Sequence, residues 1–502
     1  MEQDPESRQS SPASDAQSPA SVATGKHTLG FKVFQNTSTL IAGRAFGIPL
    51  SVATSILLVR FLGREQMGEY GALYAYLSFF SFLSTGALAQ ILAREASIRR
   101  SAAAQIFHVA TIVAFSFALF GAVLAYLLGP LVGFHGVLHW LILVAAVDAL
   151  LLPPFNQPGI IFQVDMRQWF PVSVSAMRQV LWLLAVVLLA LRNAAFYDVI
   201  IARMLCGMAE TCGILFILKR HGALTGPRTF DWSEARLLVR EALPLAVTFF
   251  AVSIYHRIDQ VMLHKMSGDK VLGPYVVAVQ MTEFFSLLPN ALMSSLFPAL
   301  SQSVSDPPRF DRYLRESYRF LMVVAFAACA LVTPIAAPFV ELFYGKEFLA
   351  TAPLLVVLIW SEVPIFFAAV LANGMIAKGL QRYMPFSAIT GAAVNVALNL
   401  WLIPRFGALG ASWATVVSYT LTNVFFFLVF SELRPMITKG LKIGFLPLLL
   451  ALGITLSLHT LPLGFWLKLA IALLAYPAGA YVLGAIGKSD LEQLLRIVRV
   501  KT

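Results

Sequence analysis

LVRFLGREQMGEYGALYAYLSFFSFL, residues Leu58–Leu83, and LHKMSGDKVLGPYVVAVQMTEFFSLL, residues Leu263–Leu288, are near copies of one another 205 positions apart. With no gap, Gly63, Gly68, Tyr70, Phe79, Phe80 and Ser81 meet Gly268, Gly273, Tyr275, Phe284, Phe285 and Ser286, and basic Arg60 meets basic Lys265. Each copy is a pair of apolar runs joined by a polar, glycine-bearing turn. A duplicated pair of spanning helices is the pattern of a two-lobed transporter, whose substrate site lies between the lobes near the middle of the bilayer.

Composition agrees with a membrane setting. Of 502 residues 58% are hydrophobic and 13% charged, with a mean hydropathy of +0.77, far too apolar for a soluble chain of this length. Cys206, Cys212 and Cys329 all sit in apolar runs and offer neither a disulfide framework nor metal-ligand spacing. The net charge of +11 could suggest nucleic acid, but the basic residues cluster in loops between apolar runs, as positive-inside bias requires. Residues 1–30 are rich in Ser, Pro, Ala and Gln, without the basic start and apolar stretch of a signal peptide. They read as a disordered cytoplasmic tail.

About 14 apolar runs are long enough to cross a bilayer, from 40–62 to 465–486. With the N-terminus in the cytoplasm, about 25 Lys and Arg fall on that side and about 8 on the other, which puts both termini inside. Six spans separate the starts of the two copies. An even number preserves orientation, so the lobes are parallel repeats about an axis along the membrane normal. The expected fold is an all-α polytopic membrane protein with two six-helix lobes, residues 31–218 and 243–432, and a C-terminal helix hairpin at 433–487. The linker 219–242 and the tail 488–502 each carry an amphipathic pattern suited to the cytoplasmic surface. The outer loops are short and leave no room for a soluble catalytic domain.

LVRFLGREQMGEYGAL (58–73) resembles the first-loop pattern of the polysaccharide flippases of the MOP (MATE-like) exporter superfamily. RIDQVMLHKMSGDKVLGPYVVAVQ (257–280), LPNALMSSLFPALSQ (288–302), YGKEFLATAPLL (344–355) and VNVALNLWLIPRFGALGASWAT (394–415) resemble its later patterns, in order and at the right spacing. The resemblance implies a transporter and not an enzyme. It implies alternating-access export of an undecaprenyl-pyrophosphate-type lipid-linked oligosaccharide across the inner membrane of a bacterium, serving O-antigen (lipopolysaccharide), capsule or exopolysaccharide assembly. It implies no cofactor. The expected partners are membrane lipids, the substrate, and the polymerase and glycosyltransferases of the same pathway, with the transporter itself a monomer.

Such a protein breaks no bond. It must hold an anionic pyrophosphate and a hydrophilic glycan in a wet cavity, so ionisable residues inside spans are the candidates. Arg257, roughly 20 Å into the seventh span, offers a planar fork for phosphate oxygens; the alternative is a structural pair with Glu283. Asp259, two residues on, faces away from Arg257 and suits cavity pairing, ion binding or a lobe-internal hydrogen bond. Arg44 lies near the cytoplasmic end of the first span, where snorkelling competes with a cavity role. Arg203 and Glu210 share one face of the sixth span. Glu283, Glu362 and Glu210 are candidates for proton coupling. Arg178 reads as snorkelling, Asp148 as too isolated for a metal site, and Asn395 with Asn399 as interhelical glue. The turn residues Gly68–Tyr70 and Gly273–Tyr275 read as markers of the fold, away from the substrate.

Two other readings compete: a cation-coupled multidrug exporter of the same superfamily, and a non-transporting scaffold of cell-wall assembly. Arg44 in the first span, with no acid beside it, speaks against the drug exporter. No G-x-x-x-x-G-K-[ST] stretch occurs, so ATP bound to this chain does not power transport.

Overall fold

The computed structural model describes residues 19–485 without 225, 227 and 228, and among them 12 stretches are long and apolar enough to cross a membrane. Two of these hold two crossings each, because they turn back at a glycine. Gly63 sits at φ 68°, ψ −176° and Gly407 at φ 56°, ψ −133°, a region that only glycine enters without strain. Beyond Gly407 the two arms touch: a Cβ on Gly410 would lie 2.3 Å from the carbonyl oxygen of Leu402. On either side of Gly63, Ser51 and Tyr70 line one chamber, although a straight helix would hold them roughly 28 Å apart.

The crossings are therefore α1 (19–62), α2 (64–78, continued by Leu88–Ile98), α3 (Ala103–Val132), α4 (Gly136–Ala146, continued to Val164), α5 (Trp169–Leu191), α6 (Phe196–Arg220) and α7 (Trp232–Ser267). They go on as α8 (Asp269–Glu283, continued by Leu287–Gln302), α9 (Pro307–Tyr344), α10 (Thr351–Leu358, continued by Glu362–Ala377), α11 (384–406), α12 (408–429), α13 (Arg434–Thr460) and α14 (Phe465–Val482). This is the expected all-helical architecture. Gly63, Gly268, Gly345 and Gly407 end α1, α7, α9 and α11 with the same kind of turn, so one end of the bundle is a row of glycine turns. The other end carries the basic loops.

At the glycine-turn end the two copies of the repeat meet reciprocally. A Cβ on Gly68 would lie 2.2 Å from the carbonyl oxygen of Asp269, and a Cβ on Gly273 1.9 Å from that of Arg64. Arg64 and Asp269 occupy equivalent positions in the repeat, as do Gly68 and Gly273. One contact is thus made twice, as across a symmetric dimer interface. Equivalent residues that face each other mark the axis. Glu65 pairs with Lys270 at 3.5 Å, and a Cβ on Gly71 would lie 2.3 Å from Val276 Cγ2. Farther from the axis, Arg60 Nε and Nη2 donate to the carbonyls of Phe343 and Leu342 in the last turn of α9, at 2.7 and 2.8 Å. Lys265 Nζ donates to the Leu131 carbonyl in the last turn of α3, at 2.7 Å. Both cations satisfy carbonyls that a helix C-terminus leaves unpaired, and each reaches into the opposite lobe. That is why a cation stands at this place in both copies.

The buried core follows the same division. At the glycine-turn end a single cluster joins both lobes, with Leu58, Leu73 and Leu77 beside Leu263, Leu272 and Val277. Toward the basic end there are two clusters. One holds Ile91, Phe107, Phe162 and Ile214 of the first lobe; the other holds Leu314, Phe326, Phe367 and Met436 of the second. The lobes share one core at the glycine-turn end; toward the basic end each has its own cluster, and the first part of α7 packs into that of the first lobe. The hairpin α13–α14 leans on α9 through residues such as Met436, Ile437 and Tyr476.

Two boundaries differ from the sequence reading. The linker stretch expected to lie on the surface is the start of α7, which begins at Trp232 behind the Asp231 cap, whose carboxylate accepts from Ser233 N at 2.8 Å. Its Ala235, Leu238, Ala242 and Ala246 pack into the first-lobe cluster, while Trp232, Leu237 and Leu243 stay exposed. Arg99 of α2 pairs with Glu234 there at 2.7 Å. The expected disordered tail is helical from Pro19, because an established helix propagates at one hydrogen bond per added residue. Residues 1–18 and the amphipathic tail at 488–502 lie outside the described residues.

Two substitutions test these joints. Gly407→Ala has ordinary room for its methyl, 3.7 Å from Val271, so it probes backbone strain alone and should cost about 1–3 kcal/mol. An unchanged Tm in detergent would contradict the turn. Gly273→Ala cannot be accommodated without parting the lobes. In a background without native cysteines, Ser55→Cys should resist a membrane-impermeant maleimide added from the glycine-turn side, and Gly273→Ala should make it react.

Candidate functional site

Where the two inner clusters part, the facing walls of the lobes enclose connected polar chambers. The first, of about 380 Å³, lies between α1, α5, α6 and α8 and is bordered by Ser51, Tyr70, Gln179, Trp182, Arg203 and Gln280. The second, also about 380 Å³, is bordered mainly by the second lobe, by Arg257, Asp259, Glu283, Ser286, Glu362 and Thr415, and by Ser78 of α2. A third, of about 330 Å³, continues the first into the first lobe past Arg178 and Glu210. Glu283 borders both the first and the second.

The wall is polar at this depth because two helices are broken. α2 loses its regular hydrogen bonding at Phe79–Ser81 and α8 at 284–286, which is the same Phe-Phe-Ser triplet in each copy. Phe79 N, Phe80 N and Ser81 N donate three residues back instead of four, at 3.2, 3.0 and 3.3 Å. Discontinuous helices within a membrane are tolerated where they line a cavity. Periodicity could not reveal this, since the triplet is as apolar as an unbroken span.

In the second lobe, Arg257 sits about 37 Å along α7 from Trp232. Its Nη2 meets Glu283 Oε1 at 2.8 Å, and the two side chains are 34% and 46% exposed. They form an ion pair open to the chamber. Asp259, only 4% exposed, accepts from the Tyr275 hydroxyl and, at 3.4 Å, from Thr415 Oγ1. It does not bond Arg257, yet it borders the same chamber. Glu362, 2% exposed, accepts from Ser286 Oγ at 2.8 and 2.9 Å, so the broken turn of α8 is fastened to α10. His256 Nδ1 lies 2.7 Å from the Tyr419 hydroxyl.

The first lobe holds a closed network. Asp148 of α4 accepts from Arg178 Nη2 and from Arg203 Nε, each at 3.1 Å. Glu210 accepts from Arg178 Nη1 at 2.9 Å and from Ser175 Oγ at 2.9 Å. Arg203 also donates to the Tyr70 hydroxyl, and its guanidinium stacks 4.0 Å from the Tyr74 ring centre, a cation–π contact. Two arginines and two acids cancel, as buried charges must. Gly207, one turn beyond Arg203 on α6, makes room: a Cβ there would lie 2.2 Å from Asp148 Oδ1.

The structure brings Arg257, Asp259, Glu283 and Glu362 to one chamber and Arg203 with Glu210 to another. The side chain of Arg44 lies outside the described residues. Asn395 donates to Ser418 Oγ on α12 at 3.0 Å and accepts from Asn399 at 2.8 Å, as interhelical glue would. Three sequence readings change. Arg178 reaches two acids instead of snorkelling. Asp148 is the hub of the first-lobe network, which the rarity of acids inside apolar runs could have signalled. Tyr70 and Tyr275 are not bystanders of the turn: each hydroxyl bonds a charged group of its own lobe and each borders a chamber.

Comparison with known proteins gives three kinds of likeness. The family described as "Polysaccharide biosynthesis protein" matches residues 57–353, more than half of the chain. The probable low-salt glycan biosynthesis flippase Agl15 of Haloferax volcanii is 21% identical over 45% of this chain and 48% of its own length. The lipid II flippase MurJ of Bacillus subtilis is 23% identical over 42% of this chain and 43% of its own length. The chain thus spans under half the length of these curated relatives. Among solved structures, the lipid II flippase MurJ in an inward closed conformation has a TM-score of 0.70 at 14% identity, covering 90% of this chain and 98% of that one. A multidrug resistance MATE family transporter in an inward-facing conformation has a TM-score of 0.64 at 14% identity, covering 78% of this chain and 95% of that one. These structures share the two-lobed fold.

Removing the hub should expose the first-lobe network. Asp148→Ala leaves two arginines without their shared acid and should cost about 3 kcal/mol, the lower end for breaking a buried pair because Arg178 keeps Glu210. Arg203→Ala should cost less in that background than in the parent protein. Additive Tm losses would refute the coupling.

Proposed function

The chain belongs to the polysaccharide biosynthesis protein family, and from that premise we propose that it is a flippase for a lipid-linked oligosaccharide. The substrate is of the undecaprenyl-pyrophosphate type and crosses a bacterial inner membrane by alternating access for surface polysaccharide assembly, as O-antigen, capsule or exopolysaccharide. The observation that carries this reading is the Arg257–Glu283 pair, an ion pair open to a polar chamber. The relatives Agl15 and MurJ, both named as flippases, support it. The basic end faces the cytoplasm in this reading, by the positive-inside rule, with both termini on that side, and the glycine turns face outward.

The chemistry required is exchange of partners. Pyrophosphate oxygens compete with the Glu283 carboxylate for the Arg257 fork, which suits them geometrically. A proton taken up by Glu283 would release Arg257 to the substrate, and its loss would return the pair and expel the anion. Glu362 and Glu210 are the other proton-coupling candidates. Asp259 and Tyr275 hold α7 against α8 while this happens. The glycan stays in the wet chamber, and the acyl chains remain in the lipid between the separately packed halves. Arg203 and Arg44 supply further positive charge, Arg203 only when Asp148 lets it go.

A second reading has one observation behind it. Asp259, Glu283 and Glu362 outnumber Arg257 in the second chamber, which suits a cationic substrate, and the fold is shared with a multidrug transporter. Deleting the protein separates the readings by loss of surface glycan or by drug sensitivity.

In a deletion strain, Arg257→Ala should abolish glycan export at unchanged membrane abundance, and Arg257→Lys should restore part of it, since a point charge replaces the fork. Full complementation by Arg257→Ala would sink the assignment.

A further inference from the structure

The first chamber differs in chemistry from the one around Arg257. Gln179 and Trp182 stand three residues apart on α5, hence on one face, and Gln280 projects from α8 across the chamber. Arg203 is the cation that borders this chamber, but Asp148, Tyr70 and the Tyr74 ring already engage it, so this place is not built to take an anion. The amides are oriented. Ser55 Oγ donates to Gln280 Oε1 at 3.0 Å. The Gln179 amide lies against Gly47 of α1, where a Cβ would come within 2.9 Å of Oε1 and 3.2 Å of Nε2. Gln179 Oε1 is buried and makes no hydrogen bond among the described residues, and a buried acceptor without a donor calls for one. Trp182 packs on the core that joins the lobes and borders both first-lobe chambers.

We propose that Trp182, Gln179 and Gln280 form a subsite for the first sugar ring of the glycan. A pyranose presents a face of C–H bonds and an edge of hydroxyls. The indole offers an apolar, electron-rich face for the first, and amides both donate to and accept from the second. A phosphate would need an unengaged cation here, and a drug cation an unengaged acid. The volume of about 380 Å³ falls within the range of small-ligand sites. Glu283 borders this chamber and that of Arg257, so a sugar here and a pyrophosphate there are neighbours, as they are in the substrate. The sugar is thereby recognised where α5 of the first lobe faces α8 of the second, and the diphosphate at Arg257 of the second lobe. This inference rests on the flippase reading.

The test compares two probes in nanodiscs: bare polyprenyl pyrophosphate, and the same lipid carrying one N-acetylhexosamine. The parent protein should bind the glycosylated lipid about tenfold more tightly. Trp182→Leu, which keeps apolar volume without the aromatic face, should erase that preference and leave affinity for the bare lipid unchanged. Trp182→Phe should keep the preference, which separates stacking from folding. Arg257→Ala should weaken both probes alike. If Trp182→Leu retains the preference, the sugar subsite is wrong and the flippase reading stands. If the parent protein binds neither probe, the flippase reading fails and takes the subsite with it.

Discussion

Two backbones touching without side chains between them set the terms for the rest of this molecule. Gly68 lies on the backbone at Asp269, and Gly273 on the backbone at Arg64. Contacts this close are possible only because one residue of each pair carries no Cβ. They bring α2 and α8 together at the glycine-turn end, and Arg60 and Lys265 then reach the carbonyl ends of the opposite lobe. The joint core follows from that proximity.

Charge is distributed unequally across them. The first lobe neutralises itself in a closed set, Asp148, Glu210, Arg178 and Arg203, held by bonds of 2.9 to 3.1 Å and an aromatic ring. Such a set is rigid, since every member has a partner to lose. The second lobe keeps one pair in the open, Arg257 with Glu283, while Asp259 and Glu362 are bonded to hydroxyls. A hydroxyl can follow a carboxylate through a change of protonation, where an arginine could not. The open pair therefore sits in the second lobe and the closed network in the first.

Much of this was legible in the sequence, for definite reasons. Apolar runs and an even count between repeats reveal parallel lobes, because both depend on composition over tens of residues. The pairing of Arg257 with Glu283 was among the expected alternatives, because charges inside spans have few partners to choose from. What stayed hidden depended on where helices start and break. Tyr70 looked like a turn residue because the apolar run begins there, but the helix begins just after Gly63, which places Tyr70 about two turns inside. The linker looked like a separate surface helix because charges interrupt its hydrophobic stripe, but the Asp231 cap starts a helix that never stops before Ser267. The Phe-Phe-Ser break has no compositional signal, and its presence in both copies of the repeat was the only hint available.

The pair on the axis, Gly71 against Val276, carries a consequence of a historical kind. In a dimer of two identical chains, a residue on the twofold axis meets its own copy. Two valines at this spot would overlap, since even one Cβ opposite Val276 stands at 2.3 Å, and two glycines would leave a void. Glu65 opposite Lys270 is the same situation in charge: identical halves would set like against like. A fused duplication escapes that restriction, because its halves can diverge into knob and hole, acid and base. At these two places the axis of this protein is built from such unlike partners.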